Sequence, residues 1–207
     1  MKAFKMVIAG VGGQGTLLAS RLLAEAAINV SLSVKIGETY GMAQRGGPVM
    51  GHVQIGGESM NPQIRRGEAD ALLGFEPAEA VRRGVTYLKK GGLALVNTRV
   101  TAPVEVISGM VPYPDMGRMM ALLGKVTGNV KAFDATALAE EAGDPITTNI
   151  VMLGALTSSG VLPYGEDVVV ETIKAGLRPQ FIALNMRAFE LGKKAYKGLW
   201  ASAPSLF

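Results

Sequence analysis

Met6-Val-Ile-Ala-Gly10-Val-Gly12-Gly13-Gln14-Gly15-Thr16 decides the fold of this chain. An apolar run enters a glycine cluster, and the cluster opens into a segment with helical periodicity. Gly10, Gly12 and Gly15 keep a G-x-G-x-x-G spacing. In that spacing the first glycine permits a tight reversal, the second lets backbone approach a phosphate, and the third lets helix pack closely on strand. The helix that follows presents backbone N–H groups and a positive dipole end to an anion. The stretch therefore reads as strand, phosphate-accommodating turn and helix. Gly10, Gly12, Gly13, Gln14 and Gly15 are candidate ligand contacts, with the Gln14 amide a donor for a ligand oxygen or a partner's backbone.

Outward from this turn, Phe4–Ala9 reads as a buried strand. Gln14–Ile28 reads as a helix, with Leu17, Leu18, Leu22, Leu23 and Ala26 at helical intervals. Ser31–Ile36 reads as a second strand, Gly37–Pro48 as a glycine-rich loop, and Val49–Ile55 as a strand closed by Gly56-Gly57. Asp70–Phe75 is a short apolar strand. Glu76–Lys89 is a helix with Pro77 in its first turn, closed by Lys90-Gly91-Gly92. Leu93–Asn97 and Pro103–Ile107 are expected strands, Asp115–Leu123 a helix, and Val130–Phe133 a strand. Ala135–Ala142, Thr147–Ser158, Glu166–Ala175 and Pro179–Tyr196 are expected helices. Alternation of strands and helices through Phe133 implies an α/β fold: Rossmann-like, a mostly parallel sheet with helices on both faces and a helical C-terminal segment. No repeat or linker divides residues 1–207, which read as one domain.

Composition narrows the chemistry. Hydrophobic residues make up 48% and charged residues 18%, enough for a sizeable core and against disorder. The mean hydropathy of +0.27 fits either a well-filled core or apolar surface that a partner covers. With no cysteine and a single histidine, the chain has no thiolate nucleophile, no disulfide, no iron–sulfur ligands and none of the usual zinc sites. No catalytic residue and no metal ligand is assigned to it. The net charge of +4 is spread over short doublets and aromatics are 6%, which provides no stacking platform for nucleic acid. No apolar run reaches the ~18–20 residues of a membrane span, and no secretory leader opens the sequence. A cytoplasmic protein is expected.

A second constellation follows the second strand: Gly37-Glu38-Thr39-Tyr40-Gly41-Met42-Ala43-Gln44-Arg45-Gly46-Gly47-Pro48. It is expected at the same sheet edge as the first turn, the carboxyl edge where open α/β sheets bind ligands. Tyr40, Gln44 and Arg45 are types that anchor interfaces or grip phosphates and carboxylates. A dinucleotide site wants an acidic residue ~20 positions beyond the turn. That position holds Lys35, and Glu38 comes three later. This departure weakens a self-sufficient NAD(P)-dependent dehydrogenase, which stays an alternative beside an assembly protein with degenerate glycine loops. His52 reads as a structural strand histidine and Asp134 as a helix cap. Asn149 either caps its helix or faces the Gly12–Gly15 turn.

The two glycine segments together, Gly10-x-Gly-Gly-Gln-Gly15 and Tyr40-Gly41-x-x-x-Arg45-Gly46-Gly47, resemble the gamma-type domain of the 2-oxoacid:ferredoxin oxidoreductases. Gly41–Gly47 and Gly74-Phe75-Glu76-Pro77 resemble more narrowly the small subunit of the indolepyruvate enzyme. Thr148–Ala155 and Asn185-x-Arg187-Ala188-Phe189 fit the same family. Tyr40 stands where the indolepyruvate branch often carries histidine, so pyruvate, 2-oxoglutarate and branched-chain oxoacids stay open as substrates. The resemblance implies a complex that decarboxylates a 2-oxoacid on thiamine diphosphate with Mg2+, passes electrons through iron–sulfur clusters to ferredoxin, and releases an acyl-coenzyme A. It places those groups on a large partner subunit and makes this chain a non-cluster subunit, inactive alone. Gly10, Gly12, Gly13, Gln14, Gly15, Tyr40, Gly41, Gln44, Arg45, Gly46, Gly47 and Asn149 would then face the partner and the region where coenzyme A or the thiamine cofactor reacts. A homodimer is expected when the chain is isolated from its partner.

Overall fold

The computed structural model describes residues 3–38, 46–57, 61–102 and 104–201. In chain order the elements are β1 (Phe4–Val11), α1 (Thr16–Asn29), β2 (Val34–Glu38), β3 (Pro48–Ile55), β4 (Ala69–Gly74), α2 (Pro77–Tyr87) and β5 (Leu88–Asn97). There follow α3 (Val104–Ile107), α4 (Met116–Val126), β6 (Val130–Phe133), α5 (Ala135–Ala142), α6 (Thr148–Ser158), α7 (Glu166–Ala175) and α8 (Pro179–Ala201). The strands form one sheet in the order β2-β3-β1-β4-β5-β6. β1, β4, β5 and β6 pair in parallel. β3 runs antiparallel to both β1 and β2, so five strands point one way and β3 alone is reversed.

The strands are apolar on both faces because helices cover both. Met6 and Ile8 of β1 join the core built with α1 and α5 to α8, whereas Val7 and Ala9 join the core built with α2 and α4. Such double burial produces near-continuous hydrophobic runs rather than strict alternation. In the first layer α6 and α8 cross at backbone distance. A Cβ on Gly154 would run into the Phe189 backbone, and one on Gly192 into the Val151 carbonyl.

Several boundaries depart from the sequence expectation: β2 runs Val34–Glu38 rather than Ser31–Ile36 and takes Gly37-Glu38 from the expected loop by pairing with His52 and Gly51 of β3. α1 starts at Thr16 rather than Gln14, because Gly15 sits at φ +77 in the left-handed region and cannot belong to a right-handed turn. α2 stops at Tyr87, and the Lys89–Gly92 segment expected to close it belongs to β5 instead. Leu88 is already extended and pairs with Ala69, and Lys89 Nζ lies 2.5 Å from Asp70 Oδ1. A register shift between Ala69 and Ala71 lets β5 carry Gly91-Gly92 and resume pairing at Leu93. Finally, the expected strand Pro103–Ile107 is a helical turn over its described part, Val104–Ile107. Both edges of β5 are already taken by β4 and β6, which leaves the chain after Asn97 no strand to pair with beside it.

Candidate functional site

The carboxyl ends of β1, β4, β5 and β6 and the start of β3 meet at one edge of the sheet, and the glycine turn sits on that edge. Gly10 must lack a side chain, since a Cβ there would lie 2.7 Å from Gln14 Oε1 and 2.9 Å from the Phe75 Cβ. Gly15 is constrained twice. Its φ is +77, and a Cβ would come within 2.8 Å of the Asn149 amide nitrogen. Gly13, at φ +102, faces open space on the other side. No side chain caps α1 and its first turn carries no acidic residue, so the positive end of its dipole stays uncompensated by side chains there.

The second glycine segment reaches the same place. Gly12 N–H donates to the Gly47 carbonyl at 2.8 Å, and Gly46 N–H donates to the Gly12 carbonyl at 3.4 Å. Val11 pairs with Pro48 directly beyond. The structure thus brings Gly10, Gly12, Gly13, Gln14, Gly15, Gly46, Gly47 and Asn149 together. Tyr40, Gly41, Gln44 and Arg45 lie outside the described residues. Asn149 is buried at the start of α6 and packs against Gly15 while its Oδ1 accepts from the Ile150 N–H.

Gln14 differs from its expected use. Its Oε1 accepts from the Val11 N–H at 2.7 Å, and its Nε2 donates to the Phe75 carbonyl and to Thr101 Oγ1, each at 3.2 Å. Both ends of the amide are therefore engaged inside the chain. Lys35 and Glu38 also lie away from the turn. β3 is wedged between β2 and β1, which sets β2 two strand spacings off, about 10 Å. The end of β2 is thus one strand further from the turn than in a dinucleotide-binding unit, where the second strand adjoins the first, and this counts against the stand-alone dehydrogenase.

Two further groups escaped the sequence analysis. Asn97, at the end of β5, is fully buried and hydrogen-bonds to the Phe75 carbonyl, Thr136, Ala135 and Arg99. The signal for it is a polar residue ending the apolar run Leu93–Val96 at the ligand edge. Glu76, also fully buried, caps α2 by accepting from the Glu79 N–H at 3.0 Å and accepts from the Tyr113 hydroxyl. Burial, followed by this hydrogen bond to Glu76, pushes the Tyr113 hydroxyl pKa well up. The pair pins the Val111–Pro114 segment over α2 and encloses a cavity of about 380 Å³ beside Pro48, with Arg82 and Glu79 on its wall.

Two sets of exposed apolar side chains flank this edge. Leu17 and Leu18 on the first turn of α1 share a hollow with Ile36, Arg21 and Glu38. On the connection from β5 to α4, Ile107 is 74% and Met110 77% exposed, with Val100 and Val111 also exposed. By contrast His52 is structural, as expected. It is buried on β3, its Nδ1 accepts from the Ile64 N–H at 3.4 Å, and its ring meets Tyr87 edge-on at 5.1 Å. Asp134 caps α5 through the Ala137 N–H at 2.8 Å and also pairs with Arg99. Among the described residues no group of three or more His, Cys, Asp or Glu could hold a metal ion. No described helix is long and apolar enough to cross a membrane.

A family model described as pyruvate ferredoxin/flavodoxin oxidoreductase matches residues 5–195. The chain belongs to that family. It is 44% identical over 198 residues to "Indolepyruvate oxidoreductase subunit IorB" of Thermococcus kodakarensis, covering 95% of this chain and 98% of that one. It is 30% identical over 190 residues to "Pyruvate/ketoisovalerate oxidoreductases common subunit gamma" of Pyrococcus abyssi, covering 91% and 89%. Among solved structures, pyruvate oxidoreductase subunit PORC of Thermotoga maritima superposes with a TM-score of 0.68 at 28% identity, over 94% of this chain and 97% of that one. The resemblance carried by the two glycine segments is borne out, and so is the α/β class.

Proposed function

We propose that the chain is the non-cluster subunit of an indolepyruvate-type 2-oxoacid:ferredoxin oxidoreductase. The complex converts an aryl-2-oxoacid, coenzyme A and oxidised ferredoxin into acyl-coenzyme A, carbon dioxide and reduced ferredoxin. Identity of 44% to an indolepyruvate subunit against 30% to a pyruvate/ketoisovalerate subunit favours the aryl branch. A chain without cysteine lacks the ligands of an iron–sulfur cluster, so the clusters would belong to a large partner subunit, to which the family resemblance also assigns the thiamine diphosphate with its Mg2+.

One observation carries the assignment of the site. Gly12 is hydrogen-bonded to Gly46 and Gly47, so the phosphate-type turn is joined to the described end of the second glycine segment. The joined surface suits an anionic co-substrate. The uncapped start of α1 offers N–H groups and a positive dipole end to a coenzyme A phosphate, and Arg45 adds a fixed cation. These groups position the co-substrate rather than perform the chemistry. The flanking Ile107 and Met110 would seat the partner subunit around the site.

The test is co-expression with a large thiamine diphosphate- and cluster-bearing subunit from the same organism, followed by 2-oxoacid- and coenzyme A-dependent reduction of a viologen dye. The highest kcat/KM is expected with indolepyruvate or phenylpyruvate rather than pyruvate, 2-oxoglutarate or a branched-chain oxoacid. Arg45→Ala should leave the complex assembled and lower kcat/KM for coenzyme A at least about tenfold, the scale of one charge-assisted contact. Unchanged turnover in an intact Arg45→Ala complex would remove the loop from the site.

A further inference from the structure

Beneath the glycine turn lies a ring of side-chain amides and hydroxyls that family membership does not explain. Asn97 uses its whole hydrogen-bonding capacity. Its Nδ2 donates to the Phe75 carbonyl at 3.2 Å and to Thr136 Oγ1 at 3.0 Å. Its Oδ1 accepts from the N–H groups of Ala135 at 3.0 Å and Arg99 at 3.3 Å. Only this orientation of the amide satisfies all four neighbours, since the flipped one would face oxygen to carbonyl and NH2 to backbone N–H. The same Phe75 carbonyl accepts from Gln14 Nε2 at 3.2 Å, and the Phe75 N–H donates to the Ala9 carbonyl at 2.7 Å. Gln14 Oε1 in turn holds the Val11 N–H, the first peptide of the turn. On the far side Thr148 Oγ1 reaches Thr136 Oγ1 at 3.5 Å, and the next residue, Asn149, packs on Gly15. The ring therefore starts at Val11, passes through Phe75 just beyond β4, then β5, α5 and α6, and returns to the turn where Asn149 packs on Gly15.

We infer that Gln14 and Asn97 are a positioning pair that sets the geometry of the glycine turn through the shared Phe75 carbonyl. The inference rests on the turn being the surface offered to coenzyme A. Gln14 then touches no ligand. It fixes where the Val11–Gly13 backbone points, and Asn97 fixes the carbonyl to which Gln14 is tied. The turn is tethered on its inner side by this chain of bonds, while Gly13 on its outer side meets nothing within 4 Å of an added Cβ. A turn built that way keeps its donors aimed without a side chain of its own in the site. A group held loosely by about 1 Å can cost on the order of a hundredfold in an oriented reaction.

The experiment uses the assembled complex, with coenzyme A varied at saturating 2-oxoacid and viologen. Gln14→Glu is nearly isosteric and keeps the acceptor for Val11 but replaces the donor to Phe75 and Thr101 by an oxygen, to which the Thr101 hydroxyl can turn and donate while the Phe75 carbonyl cannot. It should raise KM for coenzyme A about tenfold, one lost hydrogen bond's worth, with kcat and KM for the 2-oxoacid little changed. Asn97→Ser should raise the same KM, and the double variant should be no worse than the worse single one, because both act through one carbonyl. Gly13→Asp, which sets a carboxylate on the open face of the turn, reports on the turn as coenzyme A surface. If Gly13→Asp raises KM for coenzyme A and Gln14→Glu does not, the positioning pair is overturned while the site stands. A Gln14→Glu complex that loses only thermal stability, with every KM unchanged, overturns it too. If Gly13→Asp leaves KM for coenzyme A unchanged, the turn is not that surface and both fall. Should Asn97→Ser fail to assemble, Gln14→Glu alone decides by the split between KM and kcat.

Discussion

Gly15→Ala is the substitution whose cost follows most directly from the structure. Two terms add. The first is backbone: Gly15 sits at φ +77, and placing an L-residue in the left-handed region costs about 1–2 kcal/mol. The second is steric: the new Cβ would meet Asn149 at 2.8 Å from Nδ2, 3.2 Å from Cγ and 3.3 Å from Cβ. Asn149 cannot swing aside, because it is 3% exposed within α6. Forcing a methyl group into such a contact costs about 1–3 kcal/mol. A total of about 3 kcal/mol corresponds to a fall in melting temperature of roughly 6–12 °C for a chain of this length. The assay is calorimetry or circular dichroism of the purified subunit, with Asn149→Ala and Gly15→Ala/Asn149→Ala beside it. Removing the Asn149 amide takes away the two closest contacts and leaves the backbone term with the 3.3 Å approach to Cβ, so the double variant should recover about 1 kcal/mol relative to additivity. Strict additivity of the two substitutions would refute the close approach of turn and α6.

The other predictions concern separate parts of the molecule. Burial first, and the Arg83 charge second, lower the His52 pKa below its ordinary 6.5. The unfolded chain then takes up the proton first. Stability from this group is complete above pH 6.5 and is lost as pH falls towards the native value. His52→Gln should flatten the fall in melting temperature between pH 7 and 5, and an identical slope in both proteins would show that other groups cause it. Tyr113→Phe leaves the Glu76 carboxyl short of a partner and should cost about 1–3 kcal/mol. It should also speed proteolytic cleavage between Val100 and Pro114, and an unaltered digestion rate would show that the pair does not hold that segment. Met110→Asp, at an exposed position, should change the isolated chain's stability by no more than about 0.5 kcal/mol. It should weaken capture of the large subunit at least about tenfold, as expected of an apolar anchor, and unchanged affinity would place the docking face elsewhere.

What the sequence could disclose, and what it could not, follows a physical division. The strand–turn–helix at Phe4–Asn29 was readable because its constraints are local: apolar periodicity, a left-handed glycine and a helix start. The cap by Asp134 was readable for the same reason. The reversal of β3 was not. Nothing in Pro48–Ile55 itself distinguishes a strand inserted antiparallel between β1 and β2 from one added in parallel, because pairing is decided by partners distant in sequence. The boundary of α2 failed because Lys89-Lys90 looks like the basic last turn of a helix. Asp70, nineteen residues earlier, claims Lys89 for the sheet instead. Pro103–Ile107 failed because β propensity does not count how many strands already flank β5.

The candidate site divides in the same way. Glycines announced it, since Gly10 leaves no room for a Cβ and Gly13, Gly15 and Gly46 adopt a positive φ that favours glycine. Asn97 and Thr136, which hold those glycines in place, were silent, because they carry no motif and acquire meaning only when β5 and α5 converge beneath the turn. Gln14 was visible but assigned outward, as a donor to a ligand, when its three partners all lie within the chain. An amide beside a phosphate-type turn has two ways to be used, and sequence spacing cannot separate them. The Phe75 carbonyl can: it accepts from both Gln14 and Asn97, and a carbonyl has two lone pairs. With both filled from inside, the turn's inner face is closed to ligand, and whatever it binds must approach from the side of Gly13 and the Gly46-Gly47 strand entry.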